Sequence, residues 1–527
     1  KGREKIMQVY ATFWALLPPI IAIVLALITK EVYSSLFIGI VVGALFYSGF
    51  SFEGTLNHIF FEEVDDASYG MISVLSDSSN VGILIFLVIL GTLVALMNNA
   101  GGSAAFGRWA TTHIKTRVGA QLATIALGVL IFVDDYFNCL TVGSVMRPVT
   151  DTHNISRAKL AYLIDATAAP VCIIAPISSW AAAVAGFASE SDANGIALFI
   201  SAIPYNFYAL LTILMMITLS VTKTDFGPMA IHERNALKGD LFTTENRPYA
   251  DADAHEDTSN GKVIDLVLPV VVLVVACVIG LIYTGGFFSG ESFVSAFANC
   301  SASMGLVLGS SVALVFAIIF FIIRRVLSFK DCMACIPEGF KAMVPAILIL
   351  TFAWTLKSMT DSLGAAEFVA GVVKASAGSF MNFLPAVIFL IACLLSFATG
   401  TSWGTFGILI PIVLAVFGTD SGALSTISMS ACMAGAVCGD HCSPISDTTI
   451  MSSAGAQCDH VNHVSTQLPY AISVAGISFI TYLICGVLIT VGMANPVWVA
   501  LPLGIVLTIV YIMLMKRATS KKYASQA

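Results

Sequence analysis

Five stretches of this chain, Ala11–Ile28, Val81–Met97, Val263–Tyr283, Ser303–Ile323 and Pro496–Met515, run with at most one charge each. A helix crossing the roughly 30 Å hydrocarbon core of a bilayer needs about 20 such residues. The chain is 57% hydrophobic and 11% charged, with a mean hydropathy of +0.90. Soluble domains lie nearer ~45–50% apolar and ~25% charged. That much apolar surface cannot be hidden in one globular core, so lipid must be part of the solvent. Strands of about ten alternating residues do not occur, which disfavours a β-barrel. The expected fold is an all-α polytopic membrane protein with about 10–12 full spans.

The net charge of −7 points to no nucleic-acid partner, because the basic groups are short and scattered. Arg324–Arg325, Lys516–Arg517 and Lys521–Lys522 adjoin apolar runs and read as juxtamembrane anchors. The twelve cysteines lie mostly within apolar segments, as small hydrophobes do. Lys1, Arg3 and Lys5 precede an apolar run without a small-residue cleavage site behind it, so a removable signal peptide is not expected. One long polar interruption, Val221–Gly261, carries eight acids against four bases and reads as a solvated linker. It divides the chain into a first membrane half (1–220), an acidic linker (221–261), a second half (262–490) and a C-terminal span with a basic tail (491–527).

Each half holds a similar set of irregularities. In the first, Val133-Asp134-Asp135-Tyr136-Phe137-Asn138 ends an apolar run, and Arg147-Pro148 and the segment Asp165 to Ser178, with Pro170 and Pro176, follow. In the second, Thr399-Gly400-Thr401-Ser402-Trp403-Gly404 ends an apolar run, followed by Pro411 and by Gly439 to Asp447. A Pro-Ile-Ser triplet occurs in each, at Pro176 and Pro444. Gly, Pro and small polar residues at corresponding places in two halves are the mark of discontinuous helices around a midplane site. Irregular backbone is tolerated at that depth only against protein or a water-filled cavity. The expectation is therefore two inverted-topology repeats with re-entrant hairpins. The bland alternative is a set of Pro-kinked helices with small packing residues.

Loop charges bear on orientation. Phe52–Ser78 holds six acids and no Lys or Arg, which places it outside, whereas Arg108, Lys115 and Arg117 suit the cytoplasm. Counting back then puts the basic N-terminus outside, against the same rule.

A carboxylate at the bilayer centre costs at least ~2.5–3.5 kcal/mol, so each one marks a candidate site. Asp134 and Asp135 follow an apolar run directly, Asp165 sits among apolar and small neighbours, and Asp440 and Asp447 flank Ser443-Pro444-Ile445-Ser446. Hard alkali cations prefer carboxylate, hydroxyl and freed carbonyl oxygens. The candidate ion or substrate set is Asp134, Asp135, Asn138, Asp165, Thr399, Thr401, Ser402, Asp440, Ser443, Ser446 and Asp447, with Na⁺ held by a subset of these. Structural readings compete: a helix end at the interface for Asp134 or Asp135, and an N-cap or ion pair for Asp165 and Asp447.

Enzyme motifs are weak here. Gly400-Thr401-Ser402-Trp403-Gly404 fits G-x-S-x-G but follows a helix-length run rather than a strand. The Cys and His residues between Cys438 and His463 lack H-E-x-x-H and have loose spacing for zinc, and Cys332 and Cys335 form a single C-x-x-C without a second pair. Val437 stands where an intramembrane aspartyl protease would need Gly.

Three stretches resemble the NhaC family of bacterial antiporters: Ala398 to Thr405, Gly439-Asp-His-Cys-Ser-Pro-Ile-Ser-Asp-Thr-Thr449, and Cys458-Asp-His-Val-Asn-His463 with Gln467-Leu-Pro-Tyr470. Phe132 to Asn138 is similar to the matching first-half motif. The resemblance implies a multi-pass carrier of the bacterial plasma membrane that exchanges Na⁺ for H⁺ by alternating access. Implied with it are a scaffold and a mobile transport domain, a homodimer, and no cofactor beyond the moving ions. Relatives of this kind also move amino acids or hydroxy and dicarboxylic acids with Na⁺, and these motifs do not separate the substrates. A channel is the rival class, but breaks in both halves suit alternating access better than a continuous pore.

Overall fold

Apolar sequence in lipid must satisfy its backbone internally, and helices do so segment by segment. A computed structural model of the protein describes residues 9–29, 31–64, 67–132, 135–175, 180, 184, 195–249, 261–365, 367–368, 371–372, 381–417 and 423–524. It is helical throughout, apart from one short hairpin, β1 (Glu62–Val64) with β2 (Ala67–Tyr69), antiparallel with Glu63 opposite Ser68.

The helices used below are α1 (Leu17–Thr29), α2 (Val32–Tyr47), α3 (Phe52–Phe60), α4 (Ser78–Asn99), α5 (Arg117–Leu130), α6 (Asp135–Thr152), α7 (Arg157–Asp165), α8 (Phe207–Thr222) and α9 (Gly227–Ala236). After the linker come α10 (Ile264–Thr284), α11 (Ala302–Ile323), α12 (Phe329–Ser362), α13 (Leu384–Thr399), α14 (Ser402–Phe417), α15 (Ala423–Cys442), α16 (Asp447–Ala456), α17 (His460–Thr490) and α18 (Val497–Ala524).

Among the described residues, six helices are long and apolar enough to cross a membrane, or up to eight if two bent pairs each form one span. Several of the apolar runs read as spans are divided or form shorter helices among the described residues. The run from Ala11 yields a 13-residue α1, about 20 Å long at 1.5 Å per residue and short of the hydrocarbon thickness. One bent pair is α12, which turns by 45° between Val344 and Ile347. Pro345 removes a backbone donor there, a regular cause of such kinks.

Two bundles result. In one, α10 packs on α11, α4 on α11 and α12, and α2 on α1 and α12. In the other, α13 and α14 pack on α15, α6 on α16, and α7 on α16 and α17, with α5, α8 and α18 around them. They meet chiefly where α12 lies on α16 and where the helix Gly102–His113 bridges α4 and α10 to α6. Within the second bundle α6 and α16 touch backbone to backbone: a Cβ on Gly143 would lie 2.4 Å from the carbonyl carbon of Gly455. Small residues permit such crossings in membranes, where dispersion replaces the hydrophobic drive.

The two halves share an order of elements. In the first, α4 ends at a break closed by Gly101 (φ 75°), a second helix follows, then α5, which ends at Leu130, and α6, which starts at Asp135. In the second, α13 ends at Gly400 (φ 66°), α14 follows, then α15, a break over 443–446, and α16. Only glycine adopts this left-handed conformation at little cost. The order pairs Asp135 with Asp447 as helix starts, and Gly101 with Gly400. That differs from the pairing suggested by the sequence motifs, which set Asp134 and Asp135 against the Gly400 region. The Pro176-Ile-Ser triplet lies outside the described residues.

The polar linker is not a loose tether over its described part. Asp225 accepts from Lys159 Nζ (2.6 Å) and Tyr470 Oη (2.7 Å). Glu233, in α9, pairs with Arg117 and accepts from the Ser156 amide (2.9 Å). Burial, with repulsion from Asp225, holds the Glu233 carboxyl above its ordinary range against the pull of Arg117 and Lys159.

Candidate functional site

The candidate site gathers at the first turn of α16. Ser446 caps that helix, its hydroxyl accepting from the Thr449 amide at 3.2 Å, the ordinary means of satisfying an orphan donor. The next three side chains then each meet a different element. Asp447 Oδ2 accepts from Tyr136 Oη of α6 at 2.6 Å. Thr448 Oγ1 donates to Asp440 Oδ2 of α15 at 3.3 Å, and Thr449 Oγ1 to Asp165 Oδ2 of α7 at 3.1 Å. One helix N-terminus, whose dipole favours negative charge, thus holds three buried carboxylates from α7, α15 and α16 itself.

Asp440 is 1% exposed. Its Oδ2 also accepts from Ser402 Oγ at 2.9 Å, across the α13–α14 break. Its Oδ1 has no hydrogen-bond partner among the described residues. Around it stand the hydroxyls of Ser402, Ser446 and Thr448, with Ser446 Oγ and Thr448 Oγ1 3.0 Å apart. The Ala436 carbonyl accepts from both Ser396 (2.6 Å) and Ser402 (3.3 Å). This is an oxygen-rich cradle with an unsatisfied carboxylate oxygen, a costly arrangement in a low-dielectric interior.

Asp165, also 1% exposed, sits in a different network. Its Oδ2 accepts from Gln467 Nε2 (2.7 Å) and lies 3.1 Å from His463 Nε2 and 4.0 Å from His441 Nε2. Gln467 Nε2 also reaches the His441 carbonyl (2.7 Å), and Tyr208 Oη lies 2.8 Å from His441 Nδ1. Of the histidines weighed as zinc ligands, His441 and His463 are neighbours of this carboxylate, whereas His460 Nε2 lies 2.7 Å from the Pro444 carbonyl. Among the described residues no group of three or more His, Cys, Asp or Glu side chains is arranged to hold a metal ion.

Other candidates take other roles. Asn138 clamps backbone: its Nδ2 donates to the carbonyls of Gly128 (2.6 Å), Ile131 (2.9 Å) and Thr167 (3.2 Å), holding the α5–α6 break to the end of α7. Ser443 Oγ likewise donates to the Phe397 carbonyl (2.8 Å). Thr399 Oγ1 bonds within its own helix, to Leu395 O. Asp135 is fully buried at the start of α6, and Asp134 lies outside the described residues.

A cavity of about 880 Å³ opens above this turn. Its floor includes Asp447, Tyr136, Thr399, Gly400, Thr401 and Trp403, and its walls include Asp77 and Asn80 at the start of α4 and Lys357 and Asp361 near the end of α12. Lys357 Nζ pairs with Asp361 Oδ2 at 2.7 Å. Trp180 is fully buried against Trp403 and Phe406, behind the cavity wall. Thr448 and Thr449 fall inside a stretch that sequence reasoning had already marked, and His463 and Gln467 are four apart on one helical face. Lys357 carries no comparable signal, because its importance comes from a cavity between two bundles.

The Na⁺/H⁺ antiporter family profile matches residues 161–487, more than half of the chain. The chain belongs to that family. Over 488 residues it is 38% identical to an uncharacterized protein of Haemophilus influenzae, covering 90% of this chain and 91% of that one. A malate-2H⁺/Na⁺-lactate antiporter of Bacillus subtilis is 31% identical over 169 residues, 31% of this chain and 34% of its own length. The arginine/ornithine antiporter ArcD of Halobacterium salinarum is 37% identical over 112 residues, 20% of this chain and 23% of its own length. The family membership and the apolar helices identify a multi-pass membrane protein of the secondary-transporter class. For such a protein ions are cargo and not cofactors.

Proposed function

We propose that this antiporter-family protein exchanges Na⁺ for H⁺ across the bacterial plasma membrane by alternating access, with the Asp440 cradle as the cation site and Asp447 at its mouth. The observation that carries the reading is the buried Oδ1 of Asp440, which has no hydrogen-bond partner among the described residues and stands among the Ser402, Ser446 and Thr448 hydroxyls. A Na⁺ ion or a proton on this carboxylate removes the cost of an uncompensated buried charge. One of the two must therefore be present, which is the coupling an exchanger needs. The matched order of breaks in the two halves supports inverted repeats that place such a site where irregular backbone is sheltered. Arg117, Arg324 and Lys516 pair with groups in or beside the linker, and this clustering of bases supports a cytoplasmic linker.

A second reading has its own support. The cavity is larger than a bare ion needs and carries Lys357 and Asp361 beside an aromatic wall of Trp354, Trp403 and Tyr136. That lining suits a small solute bearing both a carboxylate and an amine or hydroxyl, carried with Na⁺. The two readings part on a melting experiment. A ligand at about 100 times its dissociation constant adds about 2.7 kcal/mol of stability. Plain antiport predicts that Na⁺ raises the melting temperature and no amino or hydroxy acid does. A further rise with one such acid, only when Na⁺ is present, selects the solute carrier. No rise with Na⁺ at all removes both.

A further inference from the structure

A second cavity, of about 480 Å³, lies at the other end of the same two helices. The large cavity uses the start of α4 (Ser79, Asn80, Ile83) and the last turns of α12 (Ala353 to Asp361). The second uses the end of α4 (Gly91 to Asn99) and the first turns of α12 (Ala334 to Met343). The 45° bend of α12 at Val344–Ile347 falls between them. The short helix α16 links them as well: Asp447 at its start lines the first cavity and Gln457, just past its end, lines the second. Ten residues of helix separate those ends, about 15 Å.

The second cavity is roofed by the linker, through Pro248 and the buried Tyr249. The strand of chain leading to that corner is fastened to the bundle that holds the carboxylates. Leu241 O accepts from the Arg157 amide (3.0 Å), Thr244 Oγ1 from Asn462 Nδ2 (2.6 Å), and Asp459 Oδ2 from Asn246 Nδ2 (2.5 Å). Arg157 and Arg247 both stack on Phe242, 5.1 and 4.7 Å from its ring centre. The opposite wall, α4 and α12, belongs to the other bundle. Tyr249 therefore spans the seam along which the bundles would have to part.

We propose that this cavity is the opposite-face vestibule of the transport path, and that Tyr249 of the linker is its gate. The inference rests on the alternating-access reading above. Asn98, Asn99 and Gln457 offer amide oxygens, and Asn99 donates to Glu338 at 3.0 Å, a lining suited to a cation shedding or regaining its water. Motion of the fastened linker with its bundle uncovers this vestibule as the first cavity closes.

The test uses full-length protein in sealed vesicles and an impermeant methanethiosulfonate reagent, with modified sites assigned by mass spectrometry so that native cysteines do not interfere. Lys341→Cys reports on the vestibule, Asn98→Cys is its substitute on the facing wall, and Ser79→Cys reports on the first cavity. The expected result is that the vestibule thiol is modified only from the face opposite to Ser79→Cys, and several-fold faster when Tyr249→Ala is added. Modification from the same face as Ser79→Cys, or an unchanged rate with Tyr249→Ala, overturns the proposal. Na⁺-dependent melting of each variant, measured alongside, shows whether it folds. Loss of Na⁺ response in the unmodified protein would instead count against the sodium reading.

Discussion

The phenol of Tyr136 donates a 2.6 Å hydrogen bond to Asp447 Oδ2, tying the first turn of α6 to the first turn of α16. Both residues also line the large cavity. The bond therefore joins two interrupted helices at the point where a ligand would arrive. A hydrogen bond to a charged group contributes about 1.5–3 kcal/mol. Tyr136→Phe keeps the ring and deletes the donor, so half-saturating Na⁺ in a flux assay should rise roughly ten-fold or more, with normal membrane insertion. An unchanged value would make the bond a packing detail.

Ser402 reaches Asp440 across the α13–α14 break. Ser402→Ala should weaken Na⁺ binding, while Asp440→Asn, which keeps the shape but not the charge, should abolish Na⁺-dependent melting shifts altogether. Isothermal titration of both variants with NaCl checks the order of severity. Equal affinity in Asp440→Asn and the parent would remove the cradle from the mechanism.

Asp165 ties α7 to α16 and α17 through Thr449, His463 and Gln467. Asp165→Ala leaves buried donors facing nothing, and stability should fall on the order of 3–5 kcal/mol. Asp165→Asn retains acceptor and size, so it should fold and insert yet lose coupled transport. Thermal melts of the pair, read with flux, separate the structural share of this residue from its electrostatic one.

The membrane class was legible from the apolar runs, and so were the carboxylates in the Gly439–Thr449 motif, since charge in a 57% hydrophobic chain is conspicuous. Which breaks correspond was less legible. Pro-Ile-Ser triplets drew attention to Pro176, which lies outside the described residues, while among the described ones the shared order of elements runs through Gly101, an unremarkable glycine until its φ of 75° is known. Asn138 entered the candidate set as part of the Val133–Asn138 stretch that ends an apolar run. Its three backbone acceptors come from residues as distant as Thr167, a relationship no local pattern encodes. Two of the linker's acids were hard to read for a similar reason. Its acids look solvated by composition, but Asp225 and Glu233 find Lys159 and Arg117 on other elements.

Outside the spans, His58 on α3 supplies a pH signature. It is buried against Tyr47, with ring centres 3.8 Å apart, and lies 2.9 Å from both Glu62 and Ser362 Oγ. Burial lowers it from its ordinary 6.5 to about 4, so the imidazole is neutral at pH 7 and its contact with Glu62 is a hydrogen bond rather than an ion pair. The unfolded chain then takes up a proton below pH 6.5 that the folded one refuses. Stability should fall as pH drops from about 6.5 toward 4, the loss approaching roughly 3 kcal/mol. His58→Gln should flatten that part of the melting-temperature profile; an identical slope in the variant would assign the acid sensitivity elsewhere.

The central claim is that buried carboxylates on one helix turn couple Na⁺ movement to a counter-gradient. Reconstituted vesicles with an imposed pH difference and radiolabelled Na⁺ outside test it most directly, comparing the parent with Asp447→Asn. The account predicts saturable Na⁺ uptake that follows the pH difference, reverses with it, and disappears in Asp447→Asn although that protein is inserted in equal amount. Uptake that rises linearly with Na⁺, ignores the direction of the pH gradient, or persists in Asp447→Asn would contradict it.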